Sequence, residues 1–362
     1  MFGGVMRAKF LVLIIVFTFL VSSCSSTTSP VSVVNIPTTA NTQVASSTTA
    51  PSTVAYTPIT LKMSMTKHTS FAPIFIAQAE GYFKDYGIDL QIVPASGATQ
   101  TVALFVAGTV DIYGGTLNSG LINMIAKDSN IKVVADRGHF GSGECTYEAI
   151  VVRKDLYDSG KITSAKDLAG QTIASTATGP DAYILATYLA QAGLTLKDVS
   201  LNDVPNTSYI DAFNNKTIAA VVTPELNLSK LMAAGNAVIL ASAQDIIGNY
   251  QVSVLAFSKS ITVDNPDAGA RFLAAYLKGV QQYNLGKTDS NLQILSTATG
   301  EATDTLKNSC WLPINENASI DFSGVNGFQQ WALSQGLIDS AVSENQFMDM
   351  SFLAAAQKLI NK

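Results

Sequence analysis

The chain has 362 residues, a formal net charge of −5 and only 14% charged residues. No Lys/Arg run interrupts that balance, which argues against a nucleic-acid partner. Two histidines and three cysteines leave too few ligands for a zinc centre, so neither metal nor cofactor is expected.

The amino terminus reads as an export signal. Arg7 and Lys9 precede the apolar stretch Phe10 to Val21, followed by Ser22, Ser23 and Cys24. The apolar run is shorter than the roughly 20 residues of a spanning helix. Small residues just before Cys24 resemble a lipobox, so residues 1–23 are predicted to be removed and Cys24 to be acylated. Each buried acyl methylene contributes about 0.8 kcal/mol to membrane attachment. Residues 24–57 are dominated by Ser and Thr, with no acidic or basic residue, and read as a flexible tether.

Pro58 to Lys362 exceeds what one core usually holds and suggests two lobes of an α/β fold. Strands are predicted at Ile59–Met65, Asp89–Val93, Val110–Tyr113 and Ile131–Ala135, with helices between them at Ser70–Ala79, Thr99–Ala107 and Asn118–Ala126. Pro73 sits in the first turn of its helix, where a missing amide hydrogen costs nothing. A second series runs through strands Ala149–Arg153, Thr172–Ser175, Val199–Leu201, Ile218–Val222 and Val238–Ala241, with helices at Asp181–Ala192, near Ile210–Phe213 and from Pro224 towards Gly235. After a strand at Ser253–Phe257 the pattern turns helical, at Pro266–Tyr283, Leu292–Ser296, Gly327–Gln335 and Ser351–Leu359. Alternating strand and helix indicates mostly parallel sheets, and the late helices are expected to pack back on the first lobe.

In such sheets ligands bind beyond the strand carboxyl ends, where loops feed helix amino termini. The loops there are rich in small and hydroxylated residues. They nominate His68, Thr69 and Phe71 after the first strand, Ser96 after the second, and Thr116, Leu117, Asn118 and Ser119 after the third. In the second series Thr178, Asp181, Thr223 and Glu225 hold the equivalent places, with Tyr147 at the junction. Any one of these is also an ordinary helix cap. The stretch Asp136 to Cys145 is glycine-rich and reads as a loop at the cleft mouth. Cys145 and Cys310 are the two cysteines of the body and the possible disulfide pair of an exported chain.

The segment Phe71 to Leu90, FAPIFIAQAEGYFKDYGIDL, resembles the opening of the nitrate, sulfonate, taurine and thiamine-precursor family of periplasmic-binding-protein-like receptors (SsuA/THI5-like, NMT1 family). Val106–Ile112, Ile131–Ala135, Asp167–Ala174, Gln330–Ala332 and Gly336–Ile338 match that family in character and order. The resemblance implies a two-lobed type II binding-protein fold with two crossover strands, near Tyr147–Arg153 and Ser253–Phe257. One lobe would comprise residues 58–148 with 255–362, the other 149–254. It further implies a monomeric, lipid-anchored, extracytoplasmic receptor that closes on a small organic or inorganic anion and delivers it to an ABC permease and its ATPase.

An anion would use the hydroxyl and amide loops, with Lys67, His68 or Arg137 supplying positive charge. A flat vitamin precursor, a thiamine pyrimidine or riboflavin, would instead stack on Phe71, Tyr113, Tyr147, Tyr183 or Trp311. A third reading is a receptor reporting to a membrane sensor. The resemblance extends to a pyrimidine-forming enzyme with a cysteine-rich iron motif, which this chain lacks. No Gly-x-Ser-x-Gly, His-Glu-x-x-His or phosphate-binding lysine loop is present, so the chain is read as non-catalytic.

Overall fold

The computed structural model describes residues 56–141 and 145–361, so the leader, Cys24 and nearly all of the tether lie outside the described residues. No helix among the described residues is long and apolar enough to cross a membrane. The globular body begins earlier than Pro58. Tyr56 packs against Tyr86 with ring centroids 5.9 Å apart, and the Thr57 carbonyl accepts a hydrogen bond from Arg271.

Among the described residues ten strands form two five-stranded sheets. The first contains β1 (Ile59–Met65), β2 (Ile88–Pro94), β3 (Ile112–Thr116), β4 (Lys132–Phe140) and β10 (Tyr250–Phe257), in the order β2-β1-β3-β10-β4. The second contains β5 (Glu148–Arg153), β6 (Thr172–Ala174), β7 (Ser200–Asn202), β8 (Ala220–Pro224) and β9 (Ala237–Ser242), in the order β7-β6-β8-β5-β9. The expectation of mostly parallel sheets needs correction, because β10 runs antiparallel to β3 and β4, and β5 runs antiparallel to β8 and β9. Both are the strands on which the chain enters from the other sheet. The carboxyl ends of the remaining strands face the gap between the sheets, so a strand entering across that gap must run the opposite way.

The late helices also divide. Helix Pro266–Tyr283 packs against helices Ala72–Ala79 and Ser351–Ile360 on the outer face of the first sheet. Gly279 allows the close crossing, since a Cβ there would strike the Pro73 carbonyl. Helix Ser323–Ser334, by contrast, reaches the second sheet's helix Pro180–Ala190 as well as β10. Tyr183 there lies 5.5 to 5.7 Å, centroid to centroid, from Tyr250, Phe328 and Trp331. That aromatic cluster joins both sheets in one continuous apolar core.

The segment read as a loop from Asp136 is largely strand, because β4 continues to Phe140. Its far edge is covered by the 313–318 segment, with Asp136 and His139 amides donating to the carbonyls of Ala318 and Pro313. Gly138 adopts φ +142°, and a Cβ there would meet the Leu312 side chain. Cys145 and Cys310 form a disulfide with Cα atoms 5.6 Å apart. It links the connection between the sheets to the carboxyl-terminal helical region.

Candidate ligand cleft

Between the facing ends of the two sheets lies a cavity of about 220 Å³. It opens, through shared Gly97, Thr116, Pro180 and Asp181, onto an outer cavity of about 600 Å³. Of the residues nominated from sequence, His68, Phe71, Thr116, Tyr147 and Asp181 line the inner cavity, and Asn118, Ser119 and Thr178 line the outer one.

The remaining nominees lie elsewhere. Thr69 is buried in the short turn before helix Ala72–Ala79, and Leu117 is a wholly buried core residue. Ser96 is exposed and spends its hydroxyl on the Gln100 side chain. Thr223 is buried in β8 with its hydroxyl turned to the Pro224 carbonyl. Glu225 is buried as a cap and a brace, accepting from the Ser229 amide and hydroxyl and from the Cys310 amide at 2.9 Å.

His68 reaches the cavity but does not supply charge there. Its Nε2 lies 2.9 Å from the Glu225 carbonyl, and its Nδ1 accepts from the Ser70 amide. Both nitrogens are therefore engaged in the neutral, Nε2-protonated ring. Burial pushes its pKa down, against the opposing pull of the Glu225 carbonyl. The histidine thus braces the β8 corner against the first sheet. Asn118 is similarly committed, capping helix Ser119–Lys127 through the Leu121 amide while donating to Tyr113 Oη and the Thr116 carbonyl. The glycines Gly114 and Gly115 form part of the wall, and a Cβ on either would collide with Phe71 and Met63 or with Tyr113.

Arg137 supplies the positive charge. It is 2% exposed, and among the described residues it has no carboxylate partner. The β4–β10 register passes from Ser253–Gly138 to Val254–Asp136, leaving Arg137 unpaired as a bulged residue. A bulge re-aims a side chain without breaking the strand. The guanidinium stacks 4.0 Å above the Phe71 ring, while Nη1 donates to the Ser70 carbonyl at 2.8 Å and its hydroxyl at 3.0 Å. Nε is buried without a partner, and Nη2 makes no hydrogen bond to the described residues. By sequence Arg137 is only one of three sources of charge, since its strand is predicted to stop at Ala135.

Two carboxyls distant in sequence, Glu148 and Asp181, also line the cavity. Glu148 opens β5 and is 3% exposed; Asp181 lies in the first turn of helix Pro180–Ala190 and is half-buried. The two carboxyls lie close enough for each to act on the other's ionisation. Burial first, then repulsion from Asp181, holds Glu148 well above the usual carboxylate range. Burial also raises Asp181 to about 6, against the pull of its own backbone amide and of Glu148. Tyr147, Tyr209, Tyr250 and Asp203 surround the pair, with Arg137 near Tyr147.

The sign of the pH effect follows. Between pH 4 and 6 the folded pair keeps a proton that the unfolded chain has released, so its contribution to stability falls as pH rises through this window. Melting temperatures of wild type and Asp181→Asn between pH 4 and 7 should diverge, the variant losing less on going up in pH. Parallel curves would contradict the raised carboxyls.

The aromatic faces proposed for a stacked ligand are mostly occupied. Trp311 stacks on Tyr283 at 5.2 Å, Tyr183 lies in the aromatic cluster, and Tyr113 is wholly buried. Among the described residues no group of three or more His, Cys, Asp and Glu side chains is arranged to hold a metal.

Comparison with known proteins matches residues 68–284 to the NMT1/THI5-like family. Riboflavin-binding protein RibY of Chloroflexus aurantiacus is 23% identical over 284 residues, covering 76% of this chain and 74% of RibY. The aliphatic sulphonate binding protein SsuA of Escherichia coli superposes with TM-score 0.66 at 15% identity, covering 81% of this chain and 92% of SsuA. The nitrate-binding protein NrtA of Synechocystis PCC 6803 does so with TM-score 0.66 at 16% identity, over 83% and 89%. The compared structures are mostly binding proteins, although the desulfurization enzyme DSZB shares the fold with TM-score 0.59 at 15% identity, over 83% and 99%. The two mixed sheets therefore form a periplasmic-binding-protein fold, and with more than half of its length matched the chain belongs to the NMT1/THI5-like family.

Proposed function

We propose that this protein is the extracytoplasmic solute-binding component of an ABC importer, which captures a small organic or inorganic anion of the nitrate, sulfonate and taurine class. The observation that carries this reading is Arg137, a buried guanidinium on the cleft wall with no carboxylate partner among the described residues. Burying a charge without a partner is costly unless something else compensates it, and an anionic solute would do so. Binding proteins for sulphonate and nitrate among the structural neighbours agree with it.

Capture works by closure. One lobe, built on the first sheet, comprises residues 58–148 with the carboxyl-terminal part, and the other is built on 149–254. We move the second boundary to Tyr250, since β10 pairs along its length with the first sheet. A solute touching both lobes favours the closed state and shifts the population towards it. The closed receptor then docks on the permease, and the protein acts as a non-catalytic monomer.

The test is a thermal-shift screen of the purified chain against nitrate, bicarbonate, taurine, alkanesulfonates, thiamine pyrimidines and riboflavin. A binder at a hundred times its Kd stabilises the fold by about 2.7 kcal/mol. A response to anions supports this reading. Response to riboflavin or a pyrimidine alone would favour a heteroaromatic vitamin precursor, the reading that the similarity to RibY supports.

We further propose that acylated Cys24 anchors the receptor to the membrane through the Ser/Thr-rich tether. Cys24→Ser should move the protein from the membrane to the soluble fraction and abolish palmitate labelling. Unchanged membrane association would remove the anchor.

A further inference from the structure

A separate cavity of about 670 Å³ shares no lining residue with either part of the cleft. Its wall takes in both connections between the sheets. Phe140 and Gly141 lead from β4 towards β5, while Gln244, Asp245, Gly248 and Asn249 belong to the return from β9 to β10. Asn315 and Asp321 complete it from the carboxyl-terminal region.

The polar groups left open on this wall are acceptors. Asp136 is wholly buried and accepts from the Gly138 and Asn315 amides and from Gln251 Nε2, so the 2.7 Å contact with His139 Nδ1 is made by a proton on that nitrogen. Holding Nδ1 inward turns Nε2 away from Asp136, and Nε2 has no hydrogen bond to the described residues. Gln251 is 2% exposed, and its side-chain nitrogen lies against three acceptors, Asp136 Oδ1 and the Gly138 and Ser253 carbonyls. Those three fix which end of the amide is nitrogen and leave Oε1 as the end without a partner among the described residues. Neither His139 Nε2 nor Gln251 Oε1 is sealed from solvent, and this cavity is the space that both residues line.

The charges point the same way. Asp245 and Asp321 are exposed on the wall, and no Lys or Arg lines it. The Ser323 amide first, then its hydroxyl and the Asn249 side chain at 2.6 Å, hold Asp321 below the usual carboxylate range. Even a charged His139 leaves the carboxylates in excess. A bare metal ion fits poorly, because among the described residues no three His, Cys, Asp or Glu side chains converge. An organic molecule can instead place separate N–H donors on an imidazole nitrogen, an amide oxygen and a carboxylate. The volume lies within the roughly 300–1,000 Å³ of small-molecule sites.

We propose that this cavity is a second binding site, distinct from the solute cleft, for a small organic cation whose ammonium or guanidinium groups donate hydrogen bonds. Its occupant touches both segments that join the sheets.

The experiment is calorimetry on the full chain at low salt with 1,4-diaminobutane and 4-aminobutylguanidine. The comparison probes are 1,4-butanediol, which keeps the length and removes the charge, and zinc ion alone. At least one cation should bind about tenfold or more tighter than the diol, the gain expected of one hydrogen bond to a charged group. The double variant Asp245→Asn, Asp321→Asn should remove that preference, and His139→Gln should weaken the cation about threefold or more, since each takes away an acceptor or its charge. Melting curves verify that each variant folds. Asp181→Asn reports binding in the cleft instead and should leave the cation's affinity within about twofold, as expected of a site with no shared residue. Failure of both cations to bind, equal affinity for the diol, or a response to zinc alone would overturn the proposal. So would an affinity that falls with Asp181→Asn and survives the double variant or His139→Gln. None of these outcomes depends on which solute the cleft takes.

Discussion

Arg137→Met is expected to lose solute binding while melting no lower than the wild type. The binding loss follows from the geometry: Arg137 is the cation of the cavity wall, its Nη2 makes no hydrogen bond to the described residues, and hydrogen bonds to charged groups contribute about 1.5–3 kcal/mol each. Allowing for non-additivity, about 2–5 kcal/mol corresponds to roughly a thirtyfold to several-thousandfold weaker affinity. Stability should move the other way or not at all. Methionine keeps an apolar stem over the Phe71 ring and removes a desolvated charge, an exchange that is often neutral or stabilising by about 1–4 kcal/mol. The lost bonds to Ser70 offset part of that gain. Chemical denaturation of the unliganded protein, with titration of an anion found in the screen, measures both quantities. An affinity within threefold of wild type would remove Arg137 from the site.

The second large effect concerns the brace beside the cleft. Removing both Cys145 and Cys310, as alanines, should cost about 2–4 kcal/mol, because the cross-link closes a long loop and restricts the unfolded chain. The two cysteines are 165 positions apart. For a body of about 300 residues the melting temperature should fall by about 3–6 °C. Neither cysteine lines the inner or outer cavity, so affinity should change far less than stability. The disulfide belongs to a larger brace. The Cys310 amide donates to Glu225, whose carbonyl lies against His68 Nε2, tying the β8 corner of the second sheet to the first. Unfolding in denaturant measures the cost, and a change below 0.5 kcal/mol would show that the cross-link leaves the unfolded ensemble unaffected.

Much of the architecture was legible because it depends on neighbours close in the chain. Pro266 opens and Tyr283 closes a helix at the predicted bounds, and β1 spans Ile59–Met65 as its alternation requires. Period, caps and prolines act within a turn or a strand, so they survive in the sequence. The loops at strand ends were also found this way, and eight of their nominees line one of the two cavities.

What each loop residue does was not legible, because hydroxyls, amides and carboxylates that cap helices look the same as those that bind solutes. Asn118 and Glu225 proved to be caps, and only their partners in space reveal it. The sequence alone determined the order of strands and helices and the pair of cysteines available for a cross-link. Tertiary structure alone decided the reversed direction of β5 and β10, the bulge that turns Arg137 into the cleft, and the meeting of Glu148 with Asp181. The physical reason is range. Local propensity is set by a few adjacent residues, whereas the cost of a buried, unpaired charge depends on which distant elements surround it, and that is known only once the sheets have faced each other.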